Sequence, residues 1–228
     1  MTKIVSFGDS FIFGSELPSF MDAWPGQIAQ ELGAKYETWA VPGCGNEHIA
    51  RQVYTYFANN PVEDTLAVVN WTWGSRWDFY VGSAEQWITL GPTCVPRKLD
   101  GILEDAEAER LINFYQDYPG ASTLWEKYRA LQTMFAVQGY LKHKGIKSIQ
   151  TYMDSEIFDQ TWHAPDYVRE LQSLVQPELK TFAGQTFLEW SRSNGFEVTE
   201  PGWHPLKPAH TAASKYWLEE YIRMIKIG

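Results

Sequence analysis

Short apolar runs alternate with segments of helical periodicity along this chain, and this alternation constrains the fold more than any other feature. The runs are too short for helices and are rich in β-branched and aromatic residues, which is typical of buried strands. The predicted strands cover residues 3–7, 36–41, 66–71 and 146–153, with a short one near 196–198. The predicted helices cover residues 23–32, the segment that starts at 46, 123–145, 177–193 and 209–227. Because helices separate successive strands, we expect an α/β fold, with one mostly parallel sheet covered by helices on both faces.

The composition supports one folded domain over residues 1–228. Apolar residues make up 44% of the chain and 11 residues are Trp, which suits a domain with a substantial core. The net charge of -9 leaves no basic stripe, so we do not expect nucleic acid as a partner. No stretch reaches about 18 uncharged apolar residues, so we expect no membrane span. The oligomeric state stays open.

The cysteines and histidines form no disulfide or metal-binding motif in the sequence. Cys44 and Cys94 are the two cysteines, and with no CxxC pair we expect reduced thiols and a cytoplasmic location. The five histidines form neither an HExxH motif nor a cluster with the cysteines. We therefore predict no metal site and no cofactor.

The alternation lapses between residues 72 and 120. Glycine, proline and aromatic residues accumulate in this segment, and an acidic patch with helical spacing lies around residues 104–114. We interpret the segment as an insertion in the domain or as a lid.

The first predicted strand runs directly into Gly8, Asp9 and Ser10. Ligands of open parallel sheets bind outside the carboxyl ends of the strands, which is where these three residues fall. Gly8 permits a tight turn, Asp9 can hydrogen-bond that turn, and Ser10 can present its hydroxyl as a nucleophile and its N–H to an oxyanion. An ordinary turn or helix cap is the alternative interpretation.

A second loop, Pro42-Gly43-Cys44-Gly45-Asn46, follows the second predicted strand. Free backbone amides at the start of a helix offer a place for negative charge, so the N–H of a glycine there can join that of Ser10. The alternative is a helix start with Asn46 as its cap.

His204 stands in a loop just before the last predicted helix. A neutral imidazole can accept the proton of a serine hydroxyl near pH 7. Pro205 favours an extended backbone at His204, which keeps the ring in the loop. We expect packing or capping for His210, because it lies on the helix, and a solvated or core-edge position for His48.

Taken together, "FGDSFIFG", "VPGCGN" and the "HP" before the last helix resemble the GDSL/SGNH hydrolases over nearly the whole chain. The resemblance implies a three-layer α/β/α, flavodoxin-like sandwich and hydrolysis of carboxylic esters. It also implies that Ser10 is the nucleophile and first oxyanion donor, that Gly43 is the second donor, and that His204 is the base.

Two positions depart from the family's pattern. Trp73 or Gly74 stands where the family has an asparagine that completes the oxyanion hole, and Asn46 and Asn70 are the candidates to replace it. Pro201 stands where the family has an aspartate that orients the histidine. Glu200 is adjacent to it and is the candidate acid, with a Ser-His dyad as the alternative.

Three residues are candidates for binding substrate. Trp73 can stack on a sugar or an acyl chain, or it can belong to the core. Arg76 can hold a carboxylate or phosphate, or it can form a surface ion pair. Asp9 is also assigned to this group, beside its role in the turn.

These residues predict a serine esterase that acts on a small-molecule or glycan ester, with an acetyl or other short acyl group as the leading candidate. A catalytically inactive binding or structural protein with the same fold is the alternative from another class. An acyltransferase with the same nucleophile is a third candidate.

Overall fold

The computed structural model describes residues 3–92, 99, 101–200 and 203–227, with residues 221–227 as backbone only. The described residues form six β-strands and eight α-helices. The strands are β1 (Lys3–Phe7), β2 (Lys35–Thr38), β3 (Thr65–Trp71), β4 (Trp77–Val81), β5 (Gln86–Leu90) and β6 (Lys147–Tyr152). The helices are α1 (Ser10–Phe13), α2 (Trp24–Glu31), α3 (Asn46–Asn59), α4 (Asp105–Asp117), α5 (Thr123–His143), α6 (Asp166–Val175), α7 (Phe187–Ser193) and α8 (Lys207–Ile227).

Four strands form a parallel sheet in the order β2-β1-β3-β6. Phe7 at the end of β1 pairs with Val69 of β3, and Trp71 at the end of β3 pairs with Tyr152 of β6. The loops that leave these strand ends therefore start at one edge of the sheet, where α/β folds place their ligands. The predicted α/β class with a mostly parallel sheet is confirmed.

Two buried layers cover the sheet, one on each face. Alternate strand residues point to opposite faces, so Phe7 and Val69 pack with α3, α5 and α6, while Ile4 and Val68 pack with α1, α2, α7 and α8. This division is the three-layer α/β/α sandwich that the family resemblance implies.

The insertion contains a hairpin that the sequence analysis missed. β4 and β5 pair antiparallel, and with α4 they bury a third apolar cluster that includes Leu90 and Ile112. Asp78 of β4 is almost fully buried against the start of α3. The insertion is thus attached to the loop after β2, beside the predicted site.

Cys94 lies outside the described residues, while Cys44 is a buried free thiol.

Several helix boundaries differ from the predictions. Residues 177–193 do not form one helix, because Phe182 and Gln185 pair across a tight turn and a Thr186 capping box starts the short α7. α6 was not predicted. α5 is capped by Ser122, one residue before the predicted position. The short strand predicted near 196–198 is an isolated bridge from Val198 to Pro205.

Among the residues that the structure describes, no helix combines the length and the apolar character that crossing a membrane requires.

Candidate active site

The turn after β1 places Ser10 at the carboxyl edge of the sheet. Asp9 caps α1 by accepting a hydrogen bond from the Phe11 N–H at 3.1 Å, so Ser10 is the first helical residue. Position 8 needs a glycine because Ile12 packs closely against it: a Cβ there would lie 2.5 Å from Ile12 Cγ2.

Ser10 keeps its reactive groups unengaged. The residue is 7% exposed. Its carbonyl accepts hydrogen bonds from the N–H groups of Gly14 and Ser15. Within the described part of the chain, neither its N–H nor its Oγ hydrogen-bonds to another residue. Both groups are therefore available to a ligand.

Asp9 is fully buried, and its carboxylate is committed to protein groups. Besides the Phe11 N–H, it accepts hydrogen bonds from Thr72 Oγ1 at 2.7 Å and from Arg76 Nη1 at 2.9 Å. A carboxylate buried with these partners ties the loop after β3 to the turn that carries Ser10. The structure therefore gives Asp9 a positioning role in place of the substrate contact that we assigned from the sequence.

The loop after β2 brings Gly43 to the same edge. The Val41 N–H donates to the Gly8 carbonyl at 2.9 Å, which ties this loop to the turn that carries Ser10. Gly43 is exposed and has a left-handed φ of 80°, a conformation that favours glycine. Its N–H donates to no acceptor among the described residues. Gly43 thus remains available as a donor.

The start of α3 is not the open anion site that we expected. The Asp78 carboxylate from β4 accepts hydrogen bonds from the Gly45 N–H at 3.1 Å and the His48 N–H at 2.7 Å. The Asp78 carboxylate already provides the negative charge that the positive end of the helix dipole favours, so this helix start does not need an anionic ligand.

Asn46 is the first residue of α3 and not its cap. Its side chain is 1% exposed and pairs with the Thr72 backbone, accepting from the Thr72 N–H at 2.9 Å and donating to the Thr72 carbonyl at 3.2 Å. This pairing joins the loops after β2 and β3. We therefore leave Asn46 out of the oxyanion hole.

Asn70, the other candidate replacement, is also buried. Its Oδ1 accepts a hydrogen bond from Thr151 Oγ1 at 2.7 Å, and its Nδ2 is sealed from solvent without a hydrogen-bond partner in the described residues. In this arrangement Asn70 Nδ2 is therefore not exposed to a bound ester.

Arg76 and Trp73 lie in the loop after β3. Arg76 Nη1 donates to Asp9, to Thr72 Oγ1 at 2.8 Å and to the Cys44 carbonyl at 3.1 Å. Its Cζ lies 4.9 Å from the centre of the Trp73 ring, in a cation–π contact. Trp73 in turn packs edge-on against Phe11, with ring centroids 5.4 Å apart.

His204 returns to this edge of the sheet from the other end of the chain. Its ring centroid lies 5.2 Å from that of Phe11, the residue after Ser10. The His204 N–H donates to Thr199 Oγ1 at 3.1 Å, and the His204 carbonyl accepts from the Thr199 N–H at 2.9 Å, which fixes the loop. No hydrogen bond joins His204 to Ser10 among the described residues, so that contact stays a prediction.

The environment of His204 favours its neutral form. The side chain is 16% exposed. Burial lowers the pKa of His204, and the positive charge of Arg76 lowers it further, while the charges of Asp9 and Glu16 act in the opposite direction. A neutral imidazole can act as a base at pH 7.

Glu16 is a carboxylate beside His204 that sequence reasoning missed. Its Oε1 lies 3.8 Å from His204 Nδ1, which is buried and forms no hydrogen bond with any described residue. Glu16 has a left-handed φ of 70°, a strained conformation that is concentrated at functional sites. Glu200 is exposed and forms neither a hydrogen bond nor an ion pair with the described residues. No sequence motif marks Glu16, since its position follows from the turn after α1.

The other two histidines that we weighed from the sequence are structural. His210 is buried on α8, and its Nδ1 accepts a hydrogen bond from the Trp24 N–H at 3.1 Å, in agreement with the predicted packing role. His48 contacts Arg51 and Gln52 on its own helix.

A cavity of about 330 Å³ is lined by Trp73 and by Trp203, the residue before His204. Trp203 is 52% exposed, and four carboxylates also line the cavity. They belong to Glu126, Asp154, Glu156 and Glu189. Burial raises the pKa of Glu126 to about 7, with a further contribution from the charge of Asp154. The cavity therefore combines aromatic walls with hydrogen-bond acceptors.

Among the side chains that the structure describes, no group of three or more His, Cys, Asp or Glu is arranged to hold a metal ion. We assign no residue to a metal or a cofactor.

Comparison with known proteins places the fold but not the activity. No family model matches the sequence. No curated protein matches it either. Solved structures do match over nearly the whole chain. A member of the lipolytic G-D-S-L family from Veillonella parvula is 12% identical, with a TM-score of 0.55, 98% of this chain covered and 100% of that one. The psychrotrophic esterase EstA from Pseudoalteromonas sp. is 9% identical, with a TM-score of 0.52 and coverage of 99% and 100%.

The chain therefore has the α/β/α fold of the GDSL/SGNH hydrolase structures. At this level of identity the similarity concerns the fold, and any function has to be argued from the site.

Proposed function

We propose that the protein is a serine hydrolase that cleaves carboxylic esters, with Ser10 as nucleophile and His204 as base. The observation that carries the proposal is the convergence of three loops at one edge of the sheet. Ser10 follows β1, Gly43 follows β2 and is tied to the Ser10 turn by the Val41–Gly8 hydrogen bond, and His204 packs on Phe11. A nucleophile, free backbone donors and a neutral imidazole are the groups that acyl transfer requires.

In the proposed reaction, Ser10 Oγ forms a bond to the ester carbonyl carbon while His204 accepts the hydroxyl proton. The carbonyl π electrons move onto oxygen, and the resulting oxyanion is bound by the N–H groups of Ser10 and Gly43. The bond to the alcohol then breaks as the alcohol takes the proton from His204. Water then forms a bond to the acyl carbon while the same imidazole accepts its proton. The bond from that carbon to Ser10 Oγ breaks, the acid leaves, and Oγ takes the proton from His204.

Glu16 is the proposed orienting acid in place of Glu200. The separation of 3.8 Å from Glu16 Oε1 to His204 Nδ1 is longer than a hydrogen bond. Catalytic hydrogen bonds are often long before substrate binds, and the Glu16 side chain is 55% exposed, so it has room to move. A carboxylate at Nδ1 would select the tautomer that leaves the other ring nitrogen free to accept a proton.

We propose a short acyl ester of a carbohydrate as the substrate. The cavity lined by Trp203, the residue before His204, also presents Trp73. These two rings can stack on a sugar, and the carboxylates of the cavity can accept hydrogen bonds from its hydroxyls. Ser10 is only 7% exposed, which favours a short acyl group such as acetyl over a long chain.

The test compares the wild-type protein with Ser10→Ala and with the matched control Ser15→Ala. We expect wild type and Ser15→Ala to hydrolyse p-nitrophenyl acetate and to react with a fluorophosphonate probe, and Ser10→Ala to do neither. Equal inertness of wild type and Ser10→Ala toward both reagents would favour a non-catalytic protein with this fold. Transfer of the acyl group to an added alcohol, measured by product analysis, would identify an acyltransferase instead.

A further inference from the structure

We propose that the guanidinium group of Arg76 is the third donor of the oxyanion hole and replaces the asparagine that the loop after β3 lacks. This inference rests on the proposed esterase function. It differs from our sequence-based assignment, in which Arg76 bound a carboxylate or phosphate elsewhere on the substrate.

The position of Arg76 is fixed by contacts on both sides of the hole. Its Nη1 donates to Asp9 at 2.9 Å and to the Cys44 carbonyl at 3.1 Å. Asp9 immediately precedes Ser10, and Cys44 immediately follows Gly43. The guanidinium is therefore held next to the two residues whose N–H groups are the proposed backbone donors.

The rest of the guanidinium is open to a ligand. All hydrogen bonds from the Arg76 side chain to the described residues come from Nη1, which leaves Nε and Nη2 without a protein acceptor. The side chain is 21% exposed, and neither Nε nor Nη2 is among the buried atoms that lack a partner. Asn70 Nδ2, the competing donor, is sealed from solvent.

The loop that carries Arg76 is rigidly supported. Arg129 Nη2 from α5 donates to the carbonyls of Gly74 and Arg76, at 2.8 Å and 2.6 Å. The Trp73 ring covers one face of the guanidinium. A donor fixed in advance is what stabilises an oxyanion, because no reorganisation is needed when the charge develops.

A purely structural role is the competing explanation, since Arg76 also neutralises the buried Asp9. The two roles differ in which kinetic constant they change. An oxyanion donor acts mainly in the transition state, so its loss lowers kcat and leaves KM of a neutral ester nearly unchanged. A substrate-carboxylate anchor would instead leave the turnover of a neutral ester unaffected.

The experiment measures kcat and KM for p-nitrophenyl acetate, and Ki for a boronic acid that forms a tetrahedral adduct with serine. We expect Arg76→Gln to lower kcat by about 10²–10³-fold, with KM within about threefold and Ki raised in parallel with the loss of kcat/KM. Arg76→Lys keeps the charge beside Asp9 but lacks the planar guanidinium, so its kcat should still fall by at least about tenfold. Arg51→Gln is the matched control, because Arg51 also stacks on a Trp ring. We expect its kcat to equal that of wild type.

If Arg76→Gln is too unstable to assay, the pair Asp9→Asn and Asp9→Asn/Arg76→Gln replaces it. The double variant exchanges the ion pair for two neutral amides, so it should fold at least as well as Asp9→Asn and still have a much lower kcat. Equal kcat in these two variants, or wild-type kcat in Arg76→Gln, would overturn the Arg76 assignment alone. Wild-type turnover no faster than that of Ser10→Ala would overturn the esterase proposal and this inference together.

Discussion

His204 Nδ1 lies 3.8 Å from Glu16 Oε1, although the two residues come from opposite ends of the chain. The nitrogen is buried and has no hydrogen-bond partner among the described residues, while the carboxylate is half exposed. A small movement of Glu16 would therefore bring its carboxylate within hydrogen-bonding distance of His204 Nδ1, as the proposed Ser-His-acid mechanism requires.

Glu16→Gln should shift the acid limb of kcat/KM toward lower pH and lower kcat at pH 7 by about tenfold. Burial already holds the pKa of His204 below 6.5, and the charge of Glu16 opposes that shift. Removing the charge destabilises the imidazolium, so the pKa falls further. A pH–rate profile of the variant measures this shift.

Glu200→Gln is the matched control for that experiment, because Glu200 is exposed and forms no hydrogen bond or ion pair with His204. We expect its pH–rate profile to superimpose on that of wild type. A shifted profile in Glu200→Gln together with a normal one in Glu16→Gln would restore the assignment made from the sequence.

Gly43→Ala should lower kcat by about 10- to 100-fold, because the strain displaces the N–H that we propose as a donor. No atom of the described residues lies within 4 Å of the added Cβ, so the effect comes from the left-handed φ of 80° and costs about 1–2 kcal/mol of stability. Gly184 has a φ of 86° and equally open surroundings, away from the site. In urea denaturation, Gly184→Ala should lose as much stability as Gly43→Ala, but it should keep wild-type turnover. Equal turnover in the two variants would argue against Gly43 as a donor.

Asp9→Asn should destabilise the fold by about 3–5 kcal/mol, because it leaves Arg76 without its buried counter-charge. Asp22→Asn removes an acid from a more exposed ion pair with Lys207, whose side chain is 59% exposed, and should cost less than about 1 kcal/mol. Urea denaturation of both variants gives the comparison. If both variants lost a similarly small free energy of unfolding, the Asp9–Arg76 pair would be no better shielded from solvent than a surface pair.

His210→Asn should weaken the pH dependence of stability in acid. Burial lowers the pKa of His210 from 6.5 to about 3, so between these values the unfolded chain binds a proton that the folded protein does not. The contribution of neutral His210 is complete above pH 6.5 and is lost toward pH 3, at up to about 1.4 kcal/mol per pH unit.

Asparagine can still accept a hydrogen bond from the Trp24 N–H but does not titrate, so His210→Asn should show a flatter curve between pH 6 and 4. His143→Asn, at an exposed position, is the control and should retain the wild-type slope. Urea denaturation at several pH values would contradict the prediction if the two variants behaved alike.

Local sequence patterns predicted most of the sheet. β1 was predicted at its observed boundaries, and β3 and β6 within one residue at either end, because continuous apolar runs bounded by turn residues have few other ways to be buried. The β4–β5 hairpin was missed. Its strands carry mixed polar and aromatic residues, and it gains its stability from α3 and α4, which no local pattern reveals.

The sequence by itself determined the α/β fold class and placed Ser10 and Gly43 just after strands and His204 just before the last helix, because strand ends, glycine turns and helix starts are encoded within a few residues. Only the tertiary structure decided which side chains those loops commit to the protein. Asn46 pairs with the Thr72 backbone, the Asp78 carboxylate binds the start of α3, and Glu16 lies beside His204, where we propose it as the acid. Hydrogen bonds between segments far apart in the chain depend on how the layers pack, and a list of residues does not contain that geometry.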